Sequence, residues 1–296
     1  MRRLLAAALA LALAGCGGDD PKAIATPTPT AAPVELPGGG RLIFADPERR
    51  VVAYYGHPDD EALGTLGVGT PAQAAARLEK VAAEYATPRR PVLPALELLA
   101  TIAEADPGDE GLYRRRATDA VIGRYLKAAR AIDAILILDI QPGRADFMAE
   151  AQALERWLRE PDVSLALDPE WKVGPDELPG QVIGSVDASE VVEVGAWLDA
   201  LTEREGLPQK LLVVHQFTED MIERRRLLRP FANVAVVLNV DGFGGQEIKV
   251  AKYDDFAKLA DFAFNGFKLF YEEDTGLMSP RDVLRLRPAP DLVVYE

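Results

Sequence analysis

The sequence predicts an α/β fold, a single (β/α)8 barrel that follows a signal segment and a flexible linker. Two observations carry the prediction. From residue 50 onward, eight short runs rich in Val, Ile and Leu alternate with stretches of helical periodicity, and near-continuous apolar runs suit strands buried on both faces. The body, residues 41–296, has the size of one barrel, about 250 residues. The same alternation suits an open doubly wound sheet. The count of eight strands favours closure, with right-handed crossovers winding the chain.

Taken in order, residues 1–16 read MRRLLAAALALALAGC, with Arg2 and Arg3 ahead of an apolar stretch from Leu4 to Ala14. That stretch is too short to span a bilayer and has the layout of a secretory signal. Its end, Leu13-Ala14-Gly15-Cys16, resembles a bacterial lipobox. The resemblance implies lipidation of Cys16 and a protein anchored to the cell membrane, facing outside the cytoplasm. Cys16 is the sole cysteine, which excludes an intrachain disulfide. Residues 17–40 are rich in Pro, Thr, Ala and Gly and read as a tether. RLIFAD, residues 41–46, reads as an extra strand or a plug for the barrel.

The expected strands are VVAYY (51–55), VLPALELLATI (92–102), AILILDI (134–140), VSLALD (163–168), KLLVVHQF (210–217), VAVVLNVD (234–241), GFKLFYEED (266–274) and DLVVYE (291–296). Helices are expected over 70–85, 117–132, 144–160 and 188–206. The first opens on Thr70 with Pro71 beside it, and Gly206 suits the end of the last. No segment after the signal is apolar for long enough to cross a membrane. The net charge of −14 disfavours nucleic acid and anionic lipid as partners.

In a barrel of this kind the active face is built at the carboxyl ends of the strands. Polar residues recur there: Tyr55 and His57, Glu97, Asp139 and Gln141, Asp168, Glu170 and Trp171, His215 and Gln216, Asn239 and Asp241, Lys268, Tyr271 and Asp274, then Tyr295 and Glu296. A charged residue late in a buried strand is costly unless it is paired or faces a cleft, so their recurrence argues for one shared pocket. Singly, each has an ordinary explanation: Asp168 before Pro169 and Asp241 before Gly242 suit turns, His215 suits a satisfied core position, and Arg144 is placed to hold Asp139 ionised or to begin a helix. Carboxylates beside Trp and Tyr compose a saccharide site. Paired carboxylates also supply the acid and the partner needed for glycoside hydrolysis. On this reading Glu170 is the general acid, with Asp241 or Asp139 as its partner. Tyr55, His57, Glu97, Gln141, Asp168, Trp171, Gln216, Asn239, Lys268 and Tyr271 bind substrate, and no cofactor is required.

Two resemblances stand beside that reading. The string His57-Pro58-Asp59-Asp60-Glu61 resembles the opening motif of zinc-dependent N-acetyl-sugar deacetylases. It implies zinc held by His57, Asp60 and a later histidine, for which His215 is the other histidine of the chain, with Asp59 as general base. A longer series, YYGHP, LPALELLATIA, LILDIQPGRADF, ALDPEW, QKLLVVHQFT, VDGFG, GFKLFYEEDTGLMSP and LVVYE, resembles a family of secreted actinobacterial lipoproteins with a TIM-barrel-like domain. It implies a lipid anchor and a barrel and supplies no reaction. The readings are therefore a glycoside-hydrolase-like barrel, a zinc hydrolase, or a non-catalytic lipoprotein that binds a saccharide or peptide.

Overall fold

The computed structural model describes residues 33–45, 48–257 and 262–296. Cys16, the signal segment and the linker as far as residue 32 lie outside the described residues. The compact unit runs from Pro33 to Glu296.

Eight strands form its centre: β1 Arg50–Gly56, β2 Val92–Ala103, β3 Ile135–Ile140, β4 Val163–Leu167, β5 Lys210–Gln216, β6 Val234–Val240, β7 Phe264–Leu269 and β8 Leu292–Tyr295. Each pairs in parallel with the next. The sheet closes because β1 pairs with β2 on one side and with β8 on the other, Val51 opposite Leu292 and Tyr54 opposite Tyr295. Closure settles the choice between barrel and open sheet. The run expected over 266–274 is strand only as far as Leu269.

Side chains alternate across the wall, as the twofold period of a strand requires. Val51, Ala53 and Tyr55 belong to the inner core with Leu93, Ala95 and Leu211. Val52 and Tyr54 belong to the outer core, where the helices pack. The lower interior is apolar, and the polar residues occupy the carboxyl ends of the strands.

Residues 41–45 of RLIFAD form no strand, and Asp46 lies outside the described residues. Ile43 and Phe44 are buried in the inner core, and the rings of Phe44 and Phe264 lie 4.2 Å apart. Since Phe264 begins β7, the segment plugs the amino end of the barrel. The Gln209 side chain accepts from the Ile43 amide at 2.9 Å, and Arg41 donates to the Leu207 carbonyl at 2.8 Å. Leu36, expected in the linker, is buried in the same core, so the packed body begins ahead of residue 41.

The helices on the outside are α1 Pro71–Tyr85, α2 Asp119–Arg130, α3 Phe147–Ala153, α4 Glu155–Leu158, α5 Ala188–Arg204, α6 Gln246–Phe256 and α7 Pro280–Val283. Thr70 and Gln73 cap α1 reciprocally, with Pro71 in the first turn. The stretch expected as one helix over 144–160 is divided. Asp146 accepts from the Met148 and Ala149 amides, which sets the start of α3, and Leu154 interrupts the helix before α4. Gly206, at φ +62°, turns the chain out of α5.

Candidate functional site

A cavity of about 610 Å³ opens at the carboxyl end of the barrel. Six of the residues assigned a catalytic or substrate-binding role line it: Tyr55, Gln141, Glu170, Trp171, Asp241 and Lys268. Strands place Tyr55 and Lys268. Gln141 and Asp241 lie one residue beyond β3 and β6, and Glu170 and Trp171 sit on a single helical turn, Pro169–Trp171, after β4. The remaining lining includes Leu63, Phe217, Phe243, Lys252, Phe270, Glu273 and Glu296.

Beneath the cavity lies a second polar layer, built from Glu97, Asp139, Asp168, His215 and Asn239 and buried to 1% exposure or less. His215 is its hub. Nδ1 lies 2.8 Å from Asp241 Oδ2, and Nε2 lies 3.0 Å from Glu97 Oε1 and 3.6 Å from Asp139 Oδ2. Asn239 donates to the other oxygen of Asp241 at 2.6 Å. Lys268 reaches Glu296 at 2.6 Å and Asp241 at 3.6 Å, and its ammonium sits 3.8 Å from the centre of the Tyr55 ring. Gln141 donates to the Tyr55 hydroxyl at 3.1 Å and accepts from the Ala103 amide, which fixes both side chains.

These contacts divide the carboxylates. Burial raises Glu170 above the usual carboxylate range; Lys268 opposes the shift and Asp241 adds to it. Burial alone would also raise Asp241, but His215 and Lys268 outweigh it and hold Asp241 below that range. Burial pushes Asp139 up to about 7 against the pull of His215, and it raises Asp168 well above its ordinary value with help from Glu170. For His215, burial alone would lower the pKa, but the charge and hydrogen bond of Asp241 and the bond to Glu97 carry it well above the usual value.

The structure separates other expectations from the cavity. Asp139 lies in the lower layer, so of the two partners proposed for Glu170 only Asp241 shares its cavity. Arg144 does not reach Asp139: it donates to the Glu177 carbonyl and stacks on the Tyr113 ring at 4.2 Å. Gln216 is buried and donates to the Thr218 carbonyl. Tyr271 lies past the end of β7, stacked on Tyr295 and 3.2 Å from the Tyr54 hydroxyl. Asp274 pairs with Lys249 at 3.0 Å and accepts from the Phe270 and Gly244 amides, a loop-fixing role.

His57, Asp60 and His215 do not converge as metal ligands. Asp60 is exposed and its carboxylate accepts from the Ala62 amide, capping a short turn. His57 Nδ1 accepts from the Asp59 amide at 3.2 Å, and Asp59 pairs with Arg115 at 3.0 Å. His215 is held by Asp241 and Glu97 instead. The His-Pro-Asp-Asp-Glu string thus forms a capped turn after β1.

The aromatic lining Phe217, Phe243 and Phe270 was not anticipated. Phe217 and Phe270 each follow the last residue of a strand, β5 and β7, which is the signal that marks them. Phe243 is 62% exposed and meets Phe270 edge to face at 5.9 Å.

No protein-family model matches the chain, and no curated protein matches its sequence. Among solved structures it is similar to the cellulose synthase subunit Z (CcsZ) from Clostridioides difficile, with a TM-score of 0.44 and 10% identity, over 84% of this chain and 91% of that one. The barrel assignment rests on the strand pairing of the chain itself.

Proposed function

We propose that the protein is a glycoside-hydrolase-like enzyme acting on an extracellular saccharide, tethered to the cell surface through a lipid on Cys16. One observation carries the catalytic reading. Glu170 and Asp241 line the same cavity, and their surroundings move their protonation in opposite directions. A pair of titratable groups pushed apart in this way marks an acid and its ionised partner.

Glu170 keeps its proton and delivers it to the glycosidic oxygen as the bond to the anomeric carbon breaks; water supplies the hydroxyl that completes that carbon and returns a proton to the carboxylates of the site. Asp241 stays ionised beside His215 and Lys268 and faces the positive charge that develops on the sugar ring. Trp171, Phe217 and Phe270 supply apolar faces for sugar rings. Trp171 Nε1 is buried without a hydrogen-bond partner among the described residues, a donor left for a substrate hydroxyl. The signal-like residues 1–16 and the tether that follows support the location outside the membrane.

The test is turnover of a panel of glycans and aryl glycosides by the wild type, Glu170→Gln and Asp241→Asn. Removal of a general acid costs about 10²–10⁴-fold in rate, and Glu170→Gln is expected to show that loss while retaining the fold. A fully active Glu170→Gln protein would sink the assignment. Saturable glycan binding that survives Glu170→Gln, with no turnover by the wild type, would instead make the cavity a binding site.

A further inference from the structure

The layer beneath the cavity holds more acceptors than donors. Glu97, Asp139, Asp168 and Asp241 are at most 5% exposed and face two cations, His215 and Lys268. Glu97 Oε2, both oxygens of Asp139, Asp168 Oδ1 and Asn239 Oδ1 have no hydrogen-bond partner among the described residues. Every orphaned atom of the layer is therefore an acceptor. Buried polar atoms are rarely left so, and a carboxylate with neither oxygen paired is costly at zero exposure.

We propose that Glu97, Asp139 and His215 bind one divalent transition-metal ion of the zinc class. Their ligand atoms lie within 4.8 Å of one another. The separations from His215 Nε2, 3.0 Å to Glu97 and 3.6 Å to Asp139, bracket the distance of about 3.3 Å between ligands around a tetrahedral ion with bonds of about 2.0–2.1 Å. At 3.6 Å Asp139 is too far for a hydrogen bond to the imidazole, but it is well placed to share an ion with it. A nitrogen and two carboxylate oxygens suit zinc and its neighbours.

The surroundings prepare the imidazole for this role. Nδ1 donates to Asp241 at 2.8 Å, and Asp241 is held in turn by Asn239. A carboxylate behind a ligating histidine fixes its tautomer and strengthens it as a ligand. The proton on Nε2 that otherwise bridges to Glu97 leaves as the ion binds, and so does any proton held by Asp139, so uptake of the ion releases protons to solvent and weakens in acid. The ion lies below the cavity wall, where neither Glu97, Asp139 nor His215 is part of the lining. It holds His215, and through it Asp241, in place and takes no part in substrate binding.

The experiment is the metal content of the untagged protein purified without chelator, with the melting temperature followed on adding EDTA and then zinc. The expected result is about one ion per chain and a melting temperature that falls by several degrees with EDTA and returns with zinc. Cobalt in place of zinc is expected to show visible absorption of a low-coordinate site. Asp139→Asn is expected to lose the ion, while Asp60→Ala and Glu170→Gln keep it. A metal-free wild type that takes up no zinc by calorimetry and melts unchanged in EDTA overturns the proposal. So does an ion lost in Asp60→Ala and kept in Asp139→Asn. The hydrolase reading is tested separately, since Glu170→Gln removes turnover and leaves the ion bound.

Discussion

Lys210, the first residue of β5, shows what a single buried charge does to this protein. Its ammonium donates to the Glu160 carbonyl, and its side chain is fully buried. Burial pulls its pKa down to about 7, against the raising effect of Asp162 and Glu160. The unfolded value is about 10.4, so the folded state binds fewer protons between those two values. Its stabilising contribution is fully present above the unfolded pKa and is lost as pH falls to about 7. Relative to Lys210→Met, the wild type should therefore gain stability on the order of a few kcal/mol between about pH 7 and pH 10. Urea unfolding of both proteins across that range checks this, and parallel pH dependences would contradict it. Single residues also show how far the sequence could be read. Asp139 and Gln141 share one face of β3 and its extension, so alternation alone puts both in the pocket. The two-residue step between them, about 6.6 Å along a strand, puts Gln141 at the cavity and Asp139 below it. Alternation reveals which face a residue takes. It does not reveal depth, which depends on the stagger of strands distant in sequence.

At the scale of elements, the strands were legible because each is buried on both faces. Runs such as ILILDI and VAVVLNV carry that burial in their composition. Ends were less legible: β7 runs to Leu269, and beyond it the Phe270 amide donates to the Asp274 carboxylate while the Tyr271 amide still donates to the Glu296 carbonyl. Gly266, in the middle of β7, has a packing reason. A Cβ there would lie 2.3 Å from Asn239 Oδ1 and 2.9 Å from Asn239 Cα on the neighbouring strand. Gly266→Ala must displace Asn239 and loosen its hold on Asp241. Overpacking of this kind costs about 1–3 kcal/mol. The variant should show a lower urea midpoint together with reduced turnover, and a midpoint equal to that of the wild type would count against the account.

Over the whole molecule, closure joins Arg50–Gly56 to Leu292–Tyr295, ends of the chain that no local pattern links. The plug of Leu36, Ile43 and Phe44 seals the amino end with apolar side chains, while the polar layer gathers at the other. The count of strands made the barrel readable. The pairing of Glu170 with Asp241 was readable as one of two options, and only three-dimensional depth separated them. Each member of the lower network around His215 was readable as a polar residue at a strand end; which of them bond to one another was not, since they come from separate strands whose stagger sets the contacts. Catalysis on this reading depends on the division of labour between Glu170 and Asp241. The most direct measurement is a carboxyl titration of the folded protein by carbon NMR, with Glu170→Gln and Asp241→Asn used to assign the two signals. Glu170 is expected to take up its proton above the ordinary range of a glutamate and Asp241 below that of an aspartate. Two ordinary titrations, or the reverse order, would contradict that division.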